Sequence, residues 1–317
     1  MSTALLDVSD LTVHRGGNRI LDHVALSLGR GETLALVGES GAGKSTIATV
    51  LMGLLGSHEA VIEGHADLDG QGELIGLPER RWTRLRGRRL SMIFQDAGSA
   101  LNPCFTVGRQ LVTVLRRNLG LGRAEARKRA IELFARVGIN DAETRLSAYP
   151  HQLSGGMQQR VMVAIALACN PDLLFADEPT SALDVTIQAQ IVRLILDETR
   201  ARGASCVFVL HDLALASQSC DRIAVLYAGQ VVESGATHAV LTAPRHPYTA
   251  QLKACVLAIG RHELDPPEGT VGSYAAMPRG CRFADRCPRA LPRCADERPP
   301  LVASPEADRS FACWNPL

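Results

Sequence analysis

Gly38-Glu-Ser-Gly-Ala-Gly-Lys-Ser45 constrains the fold of this chain more than any other stretch. It matches the pattern Gly-x4-Gly-Lys-Ser/Thr, and its context supports the match. Glu32-Thr-Leu-Ala-Leu-Val37 is a short apolar run that stops at the glycines, as a buried strand does. Lys44 to Leu54 then has helical spacing. A strand, a glycine-rich loop and a helix in that order form an anion cradle, because loop N–H groups and the positive end of the helix converge. Gly38, Glu39, Ser40, Gly41, Ala42, Gly43, Lys44, Ser45 and Thr46 are therefore the expected nucleotide-binding residues. Lys44 is placed to reach the β- and γ-phosphates, and Ser45 to ligate Mg²⁺ with Thr46 nearby.

Three further stretches carry chemistry. In Leu153-Ser-Gly-Gly-Met-Gln-Gln-Arg160, Ser154 reads as a helix start offering a hydroxyl and unpaired N–H groups to an anion. Gly155 and Gly156 let backbone approach a ligand without interference from Cβ atoms. Leu173-Leu-Phe-Ala-Asp-Glu-Pro179 is an apolar strand ending in two carboxylates. Adjacent carboxylates are costly unless a cation or substrate needs them, so Asp177 is a candidate Mg²⁺ carboxylate. Gln95 closes the buried-strand candidate Leu90–Phe94, and His211 closes Cys206–Leu210. An uncharged amide can touch both Mg²⁺ and water and release them without a large charge penalty.

Together these motifs span residues 5–235 and resemble the ABC family of ATPases in order and spacing. The resemblance implies an α/β fold: a P-loop nucleotide-binding domain with an antiparallel β part, a helical subdomain and a small Cys-containing C-terminal extension. It implies that Asp177 holds the metal while Glu178 polarises the attacking water. It also implies that His211 contacts the γ-phosphate and orients Glu178, and that Gln95 couples the site to a membrane partner. Ser181-Ala-Leu-Asp184 resembles the family's D-loop. Members act as head-to-tail dimers, with ATP between the phosphate loop of one subunit and the Ser-Gly-Gly of the other. One phosphate loop and one Ser-Gly-Gly make this chain half of such a machine. One position departs from the pattern: the family stacks an aromatic residue on adenine, whereas Val13-His14-Arg15-Gly16-Gly17 has none. His14 and Arg15 are the planar groups available there.

Strands separated by helices imply a parallel sheet. Leu5–Val13 and Leu21–Leu28 alternate as strands, and residues 56–85 read as strand and turn. Val107–Tyr149 is helical, with Ala130, Leu133, Phe134 and Val137 on one apolar face. Asp221–Val232 reads as a hairpin turning at Ala228-Gly229. Proline becomes frequent from Pro244, so residues 1–240 are expected to form the ATPase domain, with a helical subdomain near 96–160, and 241–317 an extension. Thirty-four basic against 33 acidic residues leave a net charge of +1, which argues against broad binding to nucleic acid. The N-terminus shows no basic leader, and no run approaches the length of a membrane span.

Cys281, Cys287, Cys294 and Cys313 crowd the last 37 of 317 residues, while five other cysteines stand singly. A reducing cytosol disfavours disulfides. Structural zinc favours tighter pairs than these. Four thiolates suit a [4Fe–4S] cluster by ligand count, and plain reduced thiols remain an alternative. Arg279, Arg282, Arg286, Arg289 and Arg293 are available to offset thiolate charge.

Phe94-Gln-Asp-Ala-Gly-Ser-Ala-Leu-Asn-Pro103 and Pro244-Arg-His-Pro-Tyr-Thr249 resemble the importers of oligopeptides, dipeptides and nickel. The resemblance implies an ATP-hydrolysing motor subunit, peripheral to the cytoplasmic face of the inner membrane, with a di- or oligopeptide cargo. It implies two permease subunits docked near residues 96–150, a second and different ATPase subunit, and an extracytoplasmic binding protein. Nickel or another metal chelate is the alternative cargo. A soluble ABC protein acting on nucleic acid is the remote alternative; it would be expected to carry tandem cassettes or a coiled-coil insertion.

Overall fold

The structure is a computed structural model that describes residues 4–56, 58–70, 72–180, 185–257, 274, 277–304 and 308–317. Two compact units emerge: Met1–Leu77 with Val209–Leu317, and Pro78–Phe208. The C-terminal residues thus belong to the same unit as the phosphate loop.

Eleven strands are described: β1 (Leu6–Arg15), β2 (Asn18–Leu28), β3 (Thr33–Val37), β4 (Val61–Leu68), β5 (Leu90–Ile93), β6 (Leu173–Asp177), β7 (Ser205–Val209), β8 (Arg222–Tyr227), β9 (Gln230–Ala236), β10 (Val302–Ala303) and β11 (Arg309–Phe311). In the first unit, β2-β1-β4 form an antiparallel three-stranded sheet. A second run in that unit is ordered β10-β11-β9-β8-β3, with β3 parallel to β8 and the others antiparallel to their neighbours. Every residue of β3 is buried, which explains why Thr33–Val37 reads as a continuous apolar run rather than an alternating one. β8 and β9 join through Ala228 (φ 46°) and Gly229 (φ 83°). Two successive positive φ angles suit the right-handed twist of a tight hairpin.

In the second unit β5 lies parallel to β6, in register from Leu90↔Leu173 to Ile93↔Ala176. Both strands are wholly buried. Its longer helices are Val107–Leu119, Arg123–Arg136, Gly155–Leu167 and Val185–Arg200. Arg123–Arg136 buries Ala126, Ala130, Leu133 and Phe134 and turns its charges outward, as its spacing predicts. One short helix, Glu79–Leu85, departs from the strand-and-turn expectation for residues 56–85. Its only buried residue is Trp82, and one apolar position cannot announce a period. Among the described residues, no helix is long and apolar enough to cross a membrane.

Candidate nucleotide site

The phosphate loop leaves β3 through three glycines with positive φ: Gly38 at 149°, Gly41 at 77° and Gly43 at 97°. A Cβ at Gly38 would stand 2.2 Å from the Leu226 carbonyl oxygen on β8. A Cβ at Gly43 would stand 2.6 Å from the Leu21 side chain. Gly38 and Gly43 are thus demanded twice, by backbone conformation and by a neighbouring strand, whereas Gly41 is demanded by conformation alone. Gly43 caps the helix Lys44–Leu51 without a capping side chain, so no side chain occupies the positive end of that helix. Lys44 is buried, and its Nζ donates to the carbonyls of Gly38 (2.8 Å) and Glu39 (3.0 Å). The loop therefore curls around its own lysine. A buried ammonium needs such acceptors, and phosphate oxygens could replace them at little cost. Ser45 and Thr46 follow, half-buried, on the first turn. His211 lies exposed in the same unit, directly before Asp212, whose carboxylate caps the helix Leu213–Ser219 by accepting from the N–H groups of Ala214 and Leu215. His14 pairs with Arg19 across β1 and β2, and Arg15 lies 3.7 Å from Glu59.

The second unit brings Gln95 and Glu178 together. They follow the ends of neighbouring parallel strands, and Gln95 Nε2 donates to Glu178 Oε2 at 2.7 Å. Asp177 ends β6 and is buried. Glu178 adopts φ 44°, a left-handed backbone unusual for a side chain of this size, and its carbonyl accepts from Thr180 N–H at 2.6 Å. Such strain persists where surrounding structure over-determines it, and it clusters at functional sites. Ser154 behaves as its spacing predicts: it is the N-cap of the helix Gly155–Leu167, and its Oγ accepts from Met157 N–H at 3.4 Å. Ser154 and Gly155 are exposed, with Gly156 half-buried behind them. Ser181-Ala-Leu-Asp184 lies outside the described residues.

Motif reading did not find the support of the loop by the C-terminal residues. Arg286 donates twice to the Glu39 carboxylate, Nη1 to Oε2 and Nη2 to Oε1, both at 3.0 Å. Tyr248 is fully buried, and its hydroxyl accepts from the Glu39 backbone N–H at 2.9 Å. Tyr274 donates from its hydroxyl to the Gly41 carbonyl at 2.5 Å. The platform is an aromatic cluster of Tyr227, Tyr248 and Phe283, with ring centroids 4.7 to 5.4 Å apart. Burial pushes the Tyr248 hydroxyl pKa far above its ordinary value, so it stays protonated. No local pattern reveals these contacts, because 209 and 247 residues separate Glu39 from its two partners.

Cys281, Cys287, Cys294 and Cys313 line one small cavity, together with His246 and Trp314. All are free thiols. Burial, then the neighbouring thiols, push the Cys281 pKa up to about 11, so it is protonated at neutral pH. Among the described residues, no group of three or more His, Cys, Asp or Glu is arranged to hold a metal ion. The arginines expected to balance thiolate charge mostly have other partners. Arg282 lies 3.3 Å from Asp22, Arg286 holds Glu39, and Arg293 stacks on Trp314 and reaches Glu297. Arg289 alone of these four lines the cavity. Carboxylates elsewhere in the unit, from the buried Asp22 to the exposed Glu297, compete for the same cations, and spacing along the chain cannot show that. Of the five remaining cysteines, Cys169, Cys206 and Cys220 are buried core fillers.

Comparison with known proteins accords with this geometry. The family described as ABC transporter matches residues 21–181, and the oligopeptide/dipeptide transporter C-terminal region matches residues 232–294. The chain is 43% identical to the dipeptide transport ATP-binding protein DppD of Escherichia coli, over 99% of this chain and 97% of that one. It is 41% identical to the oligopeptide transport ATP-binding protein OppD of Salmonella typhimurium, over 100% and 95%. Among solved structures, a dimeric post-hydrolysis state of the ATP-binding cassette MJ0796 bound to ADP and Pi is similar with a TM-score of 0.65 and 29% identity, covering 73% of this chain and 98% of that one. The chain belongs to the ABC transporter ATP-binding family, in the branch with the oligopeptide/dipeptide transporter C-terminal region, and is an ATPase.

Proposed function

We propose that this chain is the ATP-hydrolysing motor subunit of an importer of di- and oligopeptides. One observation carries the reading: relatives named for dipeptide and oligopeptide transport match it from end to end, extension included. In this reading it sits on the cytoplasmic face of the inner membrane, on two permease subunits contacted through residues 96–150. A second, different ATPase faces it, and an extracytoplasmic binding protein delivers the cargo. Residues 1–240 act as the ATPase domain and 241–317 as the extension.

The chemistry assigned to each residue follows from its surroundings. Lys44 exchanges the carbonyls of Gly38 and Glu39 for the β- and γ-phosphate oxygens. The N–H groups of Gly41 to Thr46 cradle the phosphates. By the family resemblance, Ser45, Asp177 and Gln95 would be the residues that hold Mg²⁺, and the ion would supply neutralisation of developing phosphate charge. Glu178 accepts a proton from the attacking water, and Gln95, bonded to it, reports that state onward. His211 orients Glu178. Ser154, Gly155 and Gly156 close on the γ-phosphate of the facing subunit, so binding shuts the dimer and hydrolysis opens it. The test is Glu178→Gln. Loss of a general base lowers turnover by about 10²–10⁴-fold while nucleotide binding persists and a closed dimer accumulates. Turnover near wild type would remove Glu178 from this role.

For the extension, the four thiols around one cavity support a [4Fe–4S] cluster as their occupant. Cys281 must lose its proton to bind, so uptake strengthens as pH rises toward about 11. Anaerobically purified protein should be brown, with about four iron and four sulfide per chain. Colourless protein holding zinc instead would reject the cluster.

A further inference from the structure

Glu39 occupies the second position of the phosphate loop and carries a negative charge where a triphosphate must approach. Its carboxylate is 26% exposed. Left alone, it would repel phosphate oxygens and offer Lys44 a competing acceptor. The chain resolves this from the far end of its sequence. Arg286, 9% exposed at its side chain, grips both carboxylate oxygens. The Arg286 guanidinium is itself held by the Tyr227 hydroxyl at 3.2 Å, and it lies 5.6 and 5.9 Å from the ring centres of Tyr227 and Phe283. Tyr248 takes the Glu39 N–H, and the Glu39 carbonyl holds Lys44. One loop residue therefore ties the phosphate-binding lysine to the extension through three separate groups.

We propose that Arg286 is a positioning residue for ATP: it neutralises Glu39 and turns it away from the incoming phosphates, so that nucleotide affinity depends on the C-terminal extension. A planar guanidinium suits this task, since its two parallel hydrogen bonds fix direction as well as charge. The inference rests on the reading that Gly38–Ser45 holds the triphosphate.

The experiment is calorimetric titration of the full chain with Mg·ATP, at low and high salt. Arg286→Gln should weaken binding by about tenfold, the cost of leaving one charged partner of a close pair uncompensated. The loss should shrink as salt rises, because screening relieves the exposed carboxylate. Arg286→Gln with Glu39→Gln should bind within about threefold of wild type, since no stranded charge remains. A purely structural role for Arg286 would leave the double variant as weak as the single one, and that result overturns the proposal. So does Arg286→Gln binding like wild type while Lys44→Ala loses binding. If Lys44→Ala also binds normally, the phosphate-loop reading itself fails. Should Arg286→Gln not fold, Arg286→Lys carries the test. It keeps the cation without the fork and should bind about threefold more weakly, and unchanged binding would refute the idea.

Discussion

The phosphate loop and the C-terminal extension meet at Glu39, but they arrive there by different physics. The loop is local. Its glycines, lysine and serine stand within eight residues, and each conformation it needs is specified by a side chain present or missing at that position. The extension is remote. Tyr248 and Arg286 have no motif of their own that points to a phosphate, and they matter only because the aromatic cluster of Tyr227, Tyr248 and Phe283 seats them beside Glu39. A functional site can thus have one half written as a motif and one half written as packing. The second half escapes any reading that moves along the chain.

Three measurements sharpen or break this contrast. The largest effect belongs to the local half. Lys44→Ala should weaken Mg·ATP binding at least about a hundredfold, since it deletes a buried cation bonded to the loop carbonyls and its charge-assisted bonds to phosphate. Binding preserved in this variant would mean that the loop does not hold the triphosphate. Gly38→Ala should come next, costing about 2–4 kcal/mol in urea unfolding, because it adds a Cβ against the Leu226 carbonyl and strains a positive φ. A cost under about 0.5 kcal/mol, the level of a neutral surface change, would show that the close approach is not enforced.

The smallest effect probes the remote half. His246 lines the thiol cavity and is almost fully buried, and burial lowers its pKa to about 3. Its Nδ1 accepts from the Tyr248 N–H at 3.1 Å, which requires the neutral ring. The folded state therefore excludes a proton that the unfolded chain takes up near pH 6.5. This contribution to stability is complete above pH 6.5 and falls by about 1.4 kcal/mol per pH unit as the solution is acidified toward pH 3. His246→Asn keeps an acceptor for Tyr248 N–H and cannot titrate. Unfolding curves at pH 7 and pH 5 should show a smaller acid loss for the variant than for wild type, and equal losses would place His246 in a wetter setting than the structure gives it.

The difference in legibility has a common cause across the molecule. β3, the loop and the helix Lys44–Leu51 were readable because strand burial, glycine conformation and helix spacing all act within a few residues. The parallel strands ending at Gln95 and Glu178 were readable as strands, and the sheet then brought the two side chains into a hydrogen bond. The left-handed Glu178 backbone was not readable, because nothing in Asp-Glu-Pro demands it without the rest of the fold. The tail's cysteines were visible as a cluster, yet the commitments of its arginines were not. Asp22, Glu39 and Glu297 claimed three of them, and such competition is decided only when all candidate carboxylates are in place.

By itself, then, the amino-acid order determined the fold class and the family, because the motifs that mark them depend on short-range geometry and on chemistry that tolerates few substitutes. The tertiary structure alone decided which distant groups steady that machinery. Ion pairs and buried hydroxyls join residues two hundred positions apart, and their energy depends on distance in space, which spacing along the chain does not contain.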